Sequence, residues 1–314
     1  MTPDLKSLDI KTDWKCVYMS SFLAFVTTVQ SNLFFSSLSP YLVKIDDQAT
    51  QSFFGYVIAS YSIGQFFGVP IFGYLSNRIK QFKVPLIACI VFTLIGNLLH
   101  IGLELSSQNR RYLLLIARIS TGFGAGVSSL VFAYIAIVSS NADRPRAIAM
   151  VTLANSMGFI LGPLFQAIFS IFDYPGHALF GIFHLNLYTI PAYIALAINS
   201  MAIFVIQYWF CDKKTLDEKE ILCCDSSSES SVTSSSIHSN YKPDKIAIFV
   251  MNFTRFCQLF VHAHIETIST NFTMIMFGWT SQEAVRNVAL YQLFHGVLSM
   301  IFNLVYISCH LDRL

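Results

Sequence analysis

Charge is what this sequence has least of. Of its 314 residues only 12% are Asp, Glu, Lys or Arg, about half the ~25% of a soluble domain. So few charges cannot clothe a water-facing surface, which excludes an ordinary soluble globule. Organised cysteine chemistry is also missing. The seven cysteines show no CxxC spacing and no paired framework, so neither a zinc ribbon nor a disulfide scaffold is expected. Cys16, Cys211, Cys223 and Cys224 border apolar runs, where a thiol is either unmodified or palmitoylated. HExxH, GxSxG and a workable pair of carboxylates are all absent. An enzyme is therefore not expected, nor a cofactor or metal site. A net charge of +2 offers no basic field for nucleic acid. Residues 1–15 carry Asp4, Lys6, Asp9, Lys11, Asp13 and Lys15 with no apolar core. A cleavable signal peptide is accordingly not expected, and the first apolar run would act as an uncleaved anchor.

What the chain does have is apolar length. Hydrophobic residues make up 54% of it and the mean hydropathy is +0.57. A helix of about 20 apolar residues crosses the hydrocarbon core. Eight such spans are predicted: 17–43, 53–76, 84–103, 112–139, 147–172, 181–211, 246–277 and 287–309. The fold class is all-α membrane. Spans one, two and five hold no ionisable residue apart from tyrosine and cysteine, and spans three, six and eight add only His100, His184 and His295. Span four holds Arg118, and span seven holds Arg255, His262, His264 and Glu266.

Basic residues orient the chain, since Lys and Arg collect on the cytosolic side. With a cytosolic N-terminus the inner segments hold Lys6, Lys11, Lys15, Arg78, Lys80, Lys83, Arg144, Arg146, Lys213, Lys214, Lys219, Lys242, Lys245 and Arg313. The outer loops hold only Lys44, Arg110, Arg111 and Arg286. Both termini are expected in the cytosol. The domain reading follows from this topology: a cytosolic N-terminus over 1–16, six helices over 17–211, a linker over 212–245, and two more helices over 246–314. The linker core CCDSSSESSVTSSSIHSN is serine-rich, cannot bury apolar area and is expected to be disordered. It also holds DEKEIL, where Asp217, Ile221 and Leu222 make an acidic dileucine pattern that a clathrin adaptor can read. A chance match is the alternative. Two sequons, at Asn252 and Asn271, lie in or against the membrane and are expected to stay unmodified.

Several short motifs sit at the span ends and interiors. After span two, GYLSNRIKQFK runs from Gly73 to Lys83. Gly73 is expected to let the helix end pack closely, and the basic run with Arg78 holds the loop inside. Span four contains RISTGFGAG. Its Gly122 and Gly126 have the four-residue spacing that lets helices approach, and Arg118 lies about 9 Å along the helix from Tyr112. A cation at that depth either faces a cavity or snorkels. Span five contains GFILGPLFQ, with Gly158, Gly162 and Pro163. In span seven Arg255, His262 and Glu266 are seven and four residues apart and share a helical face. That face either lines a cavity and carries protons, or lies near the membrane edges. A small solute or anion, with protons as a co-substrate, and the lipid bilayer are the expected partners.

These motifs, in this order, resemble those of the major facilitator superfamily. The loop is similar to the family's G-x-L-x-D-R signature, although Asn77 stands where Asp is usual and removes a charge proposed to lock the two lobes. Span four is similar to R-x-x-x-G-x-G, and span five to G-x-x-x-G-P. The resemblance implies a complete first six-helix lobe and two helices of the second, with HLDRL at residues 310–314 similar to the loop signature at its second-lobe position. The stretches PYLVKIDDQATQSFFGYVIASYSIGQFFGVPIFGYLSN and LNLYTIPAYI resemble an endolysosomal branch of the family. That resemblance implies chloride conduction or anion transport; composition and spacing carry no sign of chloride selectivity. A second reading is a shortened, non-transporting chain that binds partners.

Overall fold

The first helix, α1 (Trp14–Leu33), starts where Asp13 accepts a hydrogen bond from the Lys15 amide, and it runs 20 residues. The helical path resumes as α2 (Leu38–Ile45), with Pro40 in its first turn, where a proline's missing N–H costs nothing. The expected single span 17–43 is therefore two helices. This computed structural model describes residues 12–34, 37–46, 49–104, 109–140, 142–169, 171, 177–179, 183–210 and 245–308.

The other elements follow in order. They are α3 (Gln51–Ile79), α4 (Lys83–Ile101) with a 3-10 turn at Gly102–Glu104, α5 (Arg110–Gly124), α6 (Val127–Val138) and α7 (Arg144–Phe169). A two-stranded antiparallel ribbon comes next, β1 (His177–Leu179) with β2 (Phe183–Leu185), then α8 (Ile190–Trp209), α9 (Lys245–Phe277) and α10 (Ser281–Ser308). Span four is likewise divided, its glycine-rich turn parting α5 from α6 at Ala125–Gly126. The sixth span was expected from residue 181, but the helix begins at Ile190, with Pro191 in its first turn, where its missing N–H costs nothing.

Seven helical stretches among the described residues are long and apolar enough to cross a membrane: 52–79, 83–104, 110–138, 144–169, 190–209, 245–265 and 281–305. α1 is not among them. Its length suffices, but Ser20, Ser21, Thr27, Thr28, Gln30, Ser31 and Asn32 dilute its hydropathy.

Helix pairs set the packing. α1 lies on α7 and α6, α3 and α4 lie on α5, α4 packs on α8, and α10 packs on α7. One buried cluster gathers Val17, Leu86, Tyr134, Ile135 and Ile206 near the start of α1. A second gathers Tyr41, Leu42, Leu114 and Tyr188 at the opposite end. There His100 is enclosed, with Nε2 3.3 Å from the Tyr188 carbonyl and Tyr41 stacked on Tyr188 at 5.1 Å. Polar bonds pin the seams. Thr28 donates to Asn155 at 2.9 Å across α1–α7, and Asn303 donates to Ser156 at 2.8 Å across α7–α10. At the start of the bundle Thr12 donates to Asp143 at 2.6 Å, tying the chain entering α1 to the turn before α7.

Candidate functional site: a central cavity

Between the two buried ends lies a cavity of about 750 Å³, within the 300–1,000 Å³ range of small-molecule sites. The polar residues that make α1 a poor apolar span line it: Thr27, Thr28, Gln30, Ser31 and Asn32. α3 contributes Tyr61, Ser62 and Gln65, α5 contributes Arg118 and Thr121, α6 contributes Ser128, and α8 contributes Asn199. Apolar lining comes from Phe256, Leu259, Phe260 and Ala263 of α9 and from Phe159 of α7.

The α9 residues recur at i, i+3, i+4 and i+7, one helical stripe. Arg255 is not on it. At about 100° per residue it lies roughly a quarter turn away, exposed and hydrogen-bonded to Gln258 at 2.8 Å. The side chains of His262 and Glu266 lie outside the described residues.

Arg118 is the charged residue among the described lining side chains. It is half-buried, and its guanidinium sits 4.8 Å over the Phe34 ring, a cation–π contact. Phe34 also meets His100 edge-on at 5.0 Å. The backbone of α5 is drawn close to α3 because a Cβ on Gly122 would land on the Tyr61 carbonyl, and one on Gly68 would reach the Phe123 Cα at 2.9 Å. A Cβ on Gly126 would meet Phe72 and the Cys89 sulfur at 3.3 Å. In α7 a Cβ on Gly158 would meet Thr28 Cβ at 2.8 Å, and one on Gly162 would meet Asn32 Cβ at 2.6 Å. Pro163 is buried within the same helix. These contacts bring the cavity-lining α1 against α7.

The loop motif behaves otherwise. A Cβ on Gly73 would meet nothing within 4 Å, so the close packing expected there is not found among the described residues. Asn77 and Arg78 are exposed at the end of α3, and Arg78 donates to the Tyr74 hydroxyl at 3.3 Å. Asp217, Ile221 and Leu222 lie outside the described residues, as does the whole stretch 211–244.

Sequence reading passed over Gln30, Thr28 and Asn199. Polar residues at positions 27, 28, 30, 31 and 32 inside an otherwise apolar run were the available signal.

The comparisons with known proteins agree with this architecture. A family model described as Major Facilitator Superfamily matches residues 20–308. Major facilitator superfamily domain-containing protein 8 of Xenopus laevis is 34% identical over 277 residues, 88% of this chain and 54% of that protein. Multidrug resistance protein 2 of Bacillus subtilis (strain 168) is 28% identical over 110 residues, 35% of this chain and 26% of that one. The chain thus spans about half the length, or less, of these curated relatives. Among solved structures, a D-xylose-proton symporter superposes with a TM-score of 0.66 at 15% identity, covering 96% of this chain and 69% of that one. The inward-open xylose transporter XylE from E. coli gives 0.60 at 16% identity, with 96% and 69% covered. At such identities the likeness is one of fold. The central cavity, the helical bundle and the family match over most of the chain together place it: this multi-pass membrane chain belongs to the Major Facilitator Superfamily.

Proposed function

We propose that this chain is part of a transporter that carries a small anionic solute through the central cavity, in an endolysosomal membrane. The observation that supports the anionic reading is Arg118, the one charged residue among the described lining groups. In low dielectric a guanidinium is a strong receptor for a carboxylate or similar group. Carriage in this family alternates access to a midplane site by rocking one helical unit against another, and the α7–α10 seam is the candidate pivot. In this reading α1 is the eighth spanning helix, residues 17–211 form the first lobe, 212–245 a cytosolic linker and 246–314 the part of the second lobe in hand. Both termini are cytosolic.

The resemblance to the endolysosomal branch also suggests chloride conduction. A cavity of about 750 Å³ favours a carried solute over a halide pore. Protons are the natural co-substrate if Glu266 or His262 titrates within the pathway.

Flux is the direct test. The full-length transporter of which this chain is part, reconstituted in liposomes, should show saturable uptake of a labelled organic anion, competed by unlabelled anion. Uptake that rises linearly without saturation, or equals that of empty vesicles, would remove the reading. Location rests on the dileucine pattern and on the resemblance to an endolysosomal branch of the family. Ile221→Ala with Leu222→Ala should move a tagged chain from lysosomes to the cell surface. Unchanged lysosomal staining of the double variant would show that DEKEIL does no sorting.

A further inference from the structure

The anionic reading just proposed fixes only one group of the solute, and the hydroxyls around Arg118 fix more. Thr27 donates to the Leu23 carbonyl at 2.9 Å and Ser31 to that of Thr27 at 3.0 Å. Thr28 has two acceptors at 2.9 Å, the Ala24 carbonyl and Asn155 Oδ1. Thr93 donates to the Cys89 carbonyl at 3.1 Å and Thr121 to that of Arg118 at 3.0 Å. A hydroxyl has one proton and two lone pairs. Each of these five cavity-lining hydroxyls has spent its proton on its own helix or a neighbour, so each turns only lone pairs toward the cavity.

This acceptor-rich part of the wall is a poor host for a bare anion. A halide accepts hydrogen bonds and donates none, so along these five hydroxyls it would meet lone pairs of like sign, and only Arg118 and the side chains of Gln30, Tyr61, Ser62, Gln65 and Ser128 could serve it. It would also be a small occupant. A water molecule claims about 30 Å³, a halide is of that order, and the cavity holds about 750 Å³. The wall instead calls for a solute that donates. An ammonium group donates, but the described lining residues include no carboxylate to balance it. Neutral hydroxyls match neutral acceptors with no uncompensated charge.

The remaining lining groups fit the same solute. Asn199 donates one N–H to Gln30 Oε1 and another to the Ala195 carbonyl at 2.6 Å. That leaves the Gln30 NH₂ and the Asn199 oxygen, a donor beside an acceptor, which is what a pair of neighbouring hydroxyls requires. In the same cavity Phe256 and Phe260 offer apolar rings for the C–H side of a saturated ring.

We propose that the solute is a polyhydroxylated organic monoanion of monosaccharide size, a sugar acid in class, with its acid group on Arg118 and its hydroxyls on the acceptor wall of α1 and the Gln30–Asn199 pair. This rests on the anion reading above, and the probe series separates the two.

The experiment is calorimetric titration of the purified chain in nanodiscs with glucuronate, glucose, acetate, glycine and chloride, each at matched ionic strength. Glucuronate should bind at least tenfold more tightly than any of the other four. Gln30→Leu should lower glucuronate affinity about tenfold and acetate affinity far less. If acetate or chloride binds as tightly as glucuronate, and Arg118→Leu removes both, the solute is an anion and the sugar-acid inference is overturned. If glycine binds best, the solute is a zwitterion and the inference is overturned as well. If glucose equals glucuronate, or no probe binds in an Arg118-dependent way, the anion reading falls with it.

Discussion

Arg118→Leu is expected to weaken solute binding by one to two orders of magnitude, and to cut flux with it, while leaving the chain inserted and at least as stable as before. The two halves of this expectation come from different energies. A charged side chain at the centre of a membrane helix costs roughly 2.5–3.5 kcal/mol on insertion scales, so removing it eases insertion. A hydrogen bond to a charged group is worth about 1.5–3 kcal/mol, so an acid group that loses the guanidinium should bind about ten- to a hundredfold more weakly. Phe34 is 4.8 Å from the guanidinium and gives a leucine an apolar neighbour. Arg118→Lys keeps the charge and loses the planar fork and the stacking, so an intermediate affinity is expected. Thermal unfolding in detergent and uptake in liposomes, run on the same preparations, separate stability from function. A leucine variant with undiminished uptake would mean that Arg118 only reaches for the membrane surface.

The apolar spans were legible because helix length in a bilayer is set by composition over some 20 residues, and a single sequence displays composition directly. The division of the first span into α1 and α2 was not legible: Pro40 lies in the first turn of α2, where proline is tolerated, and the run from Val17 to Val43 reads as continuous when only hydropathy is followed. The cavity was less legible. In α9 the charged residues Arg255, His262 and Glu266 draw the eye to one face, whereas the stripe on the cavity is Phe256, Leu259, Phe260 and Ala263, roughly a quarter turn round. The rotation of a helix is decided by its neighbours, and its own residues do not state it. Partners far apart in the chain were hidden for the same reason. Asn303 bonds Ser156 across 147 positions and Asn199 bonds Gln30 across 169. Each of these residues alone is an unremarkable polar side chain in an apolar helix. The α1 hydroxyls show the point in reverse. Their number is visible in the sequence, but the direction of each donor, which decides what the cavity can hold, needs the coordinates.

Gly122→Ala is expected to destabilise the bundle, whereas Gly73→Ala is expected to stabilise it. The sequence gives no reason to distinguish them, since both are glycines of family-like motifs inside apolar helices. In an isolated helix alanine is favoured over glycine by about 0.8–1 kcal/mol, and Gly73 should show that gain because a Cβ there meets nothing within 4 Å. At Gly122 the same methyl lands on the Tyr61 carbonyl and reaches the Tyr61 Cα at 3.0 Å. Backbone atoms of a packed helix cannot swing aside as a side chain does, so α3 and α5 must part. Overpacking of this kind costs typically 1–3 kcal/mol and occasionally more, which exceeds the propensity gain. Gly64 and Gly68 of α3 press on Phe123 in the same crossing, so the separation would spread along the contact and would not end at one turn. Function should follow, because the crossing holds Tyr61 and Gln65 of α3 beside Arg118 and Thr121 of α5 at the cavity wall. Gly122→Ala should therefore lower both the unfolding midpoint and solute affinity, and Gly73→Ala should raise the first and leave the second alone. Denaturant unfolding in detergent, followed by helical circular dichroism, measures the sign for each variant. Equal shifts in the two would show that α3 and α5 do not meet as closely as described.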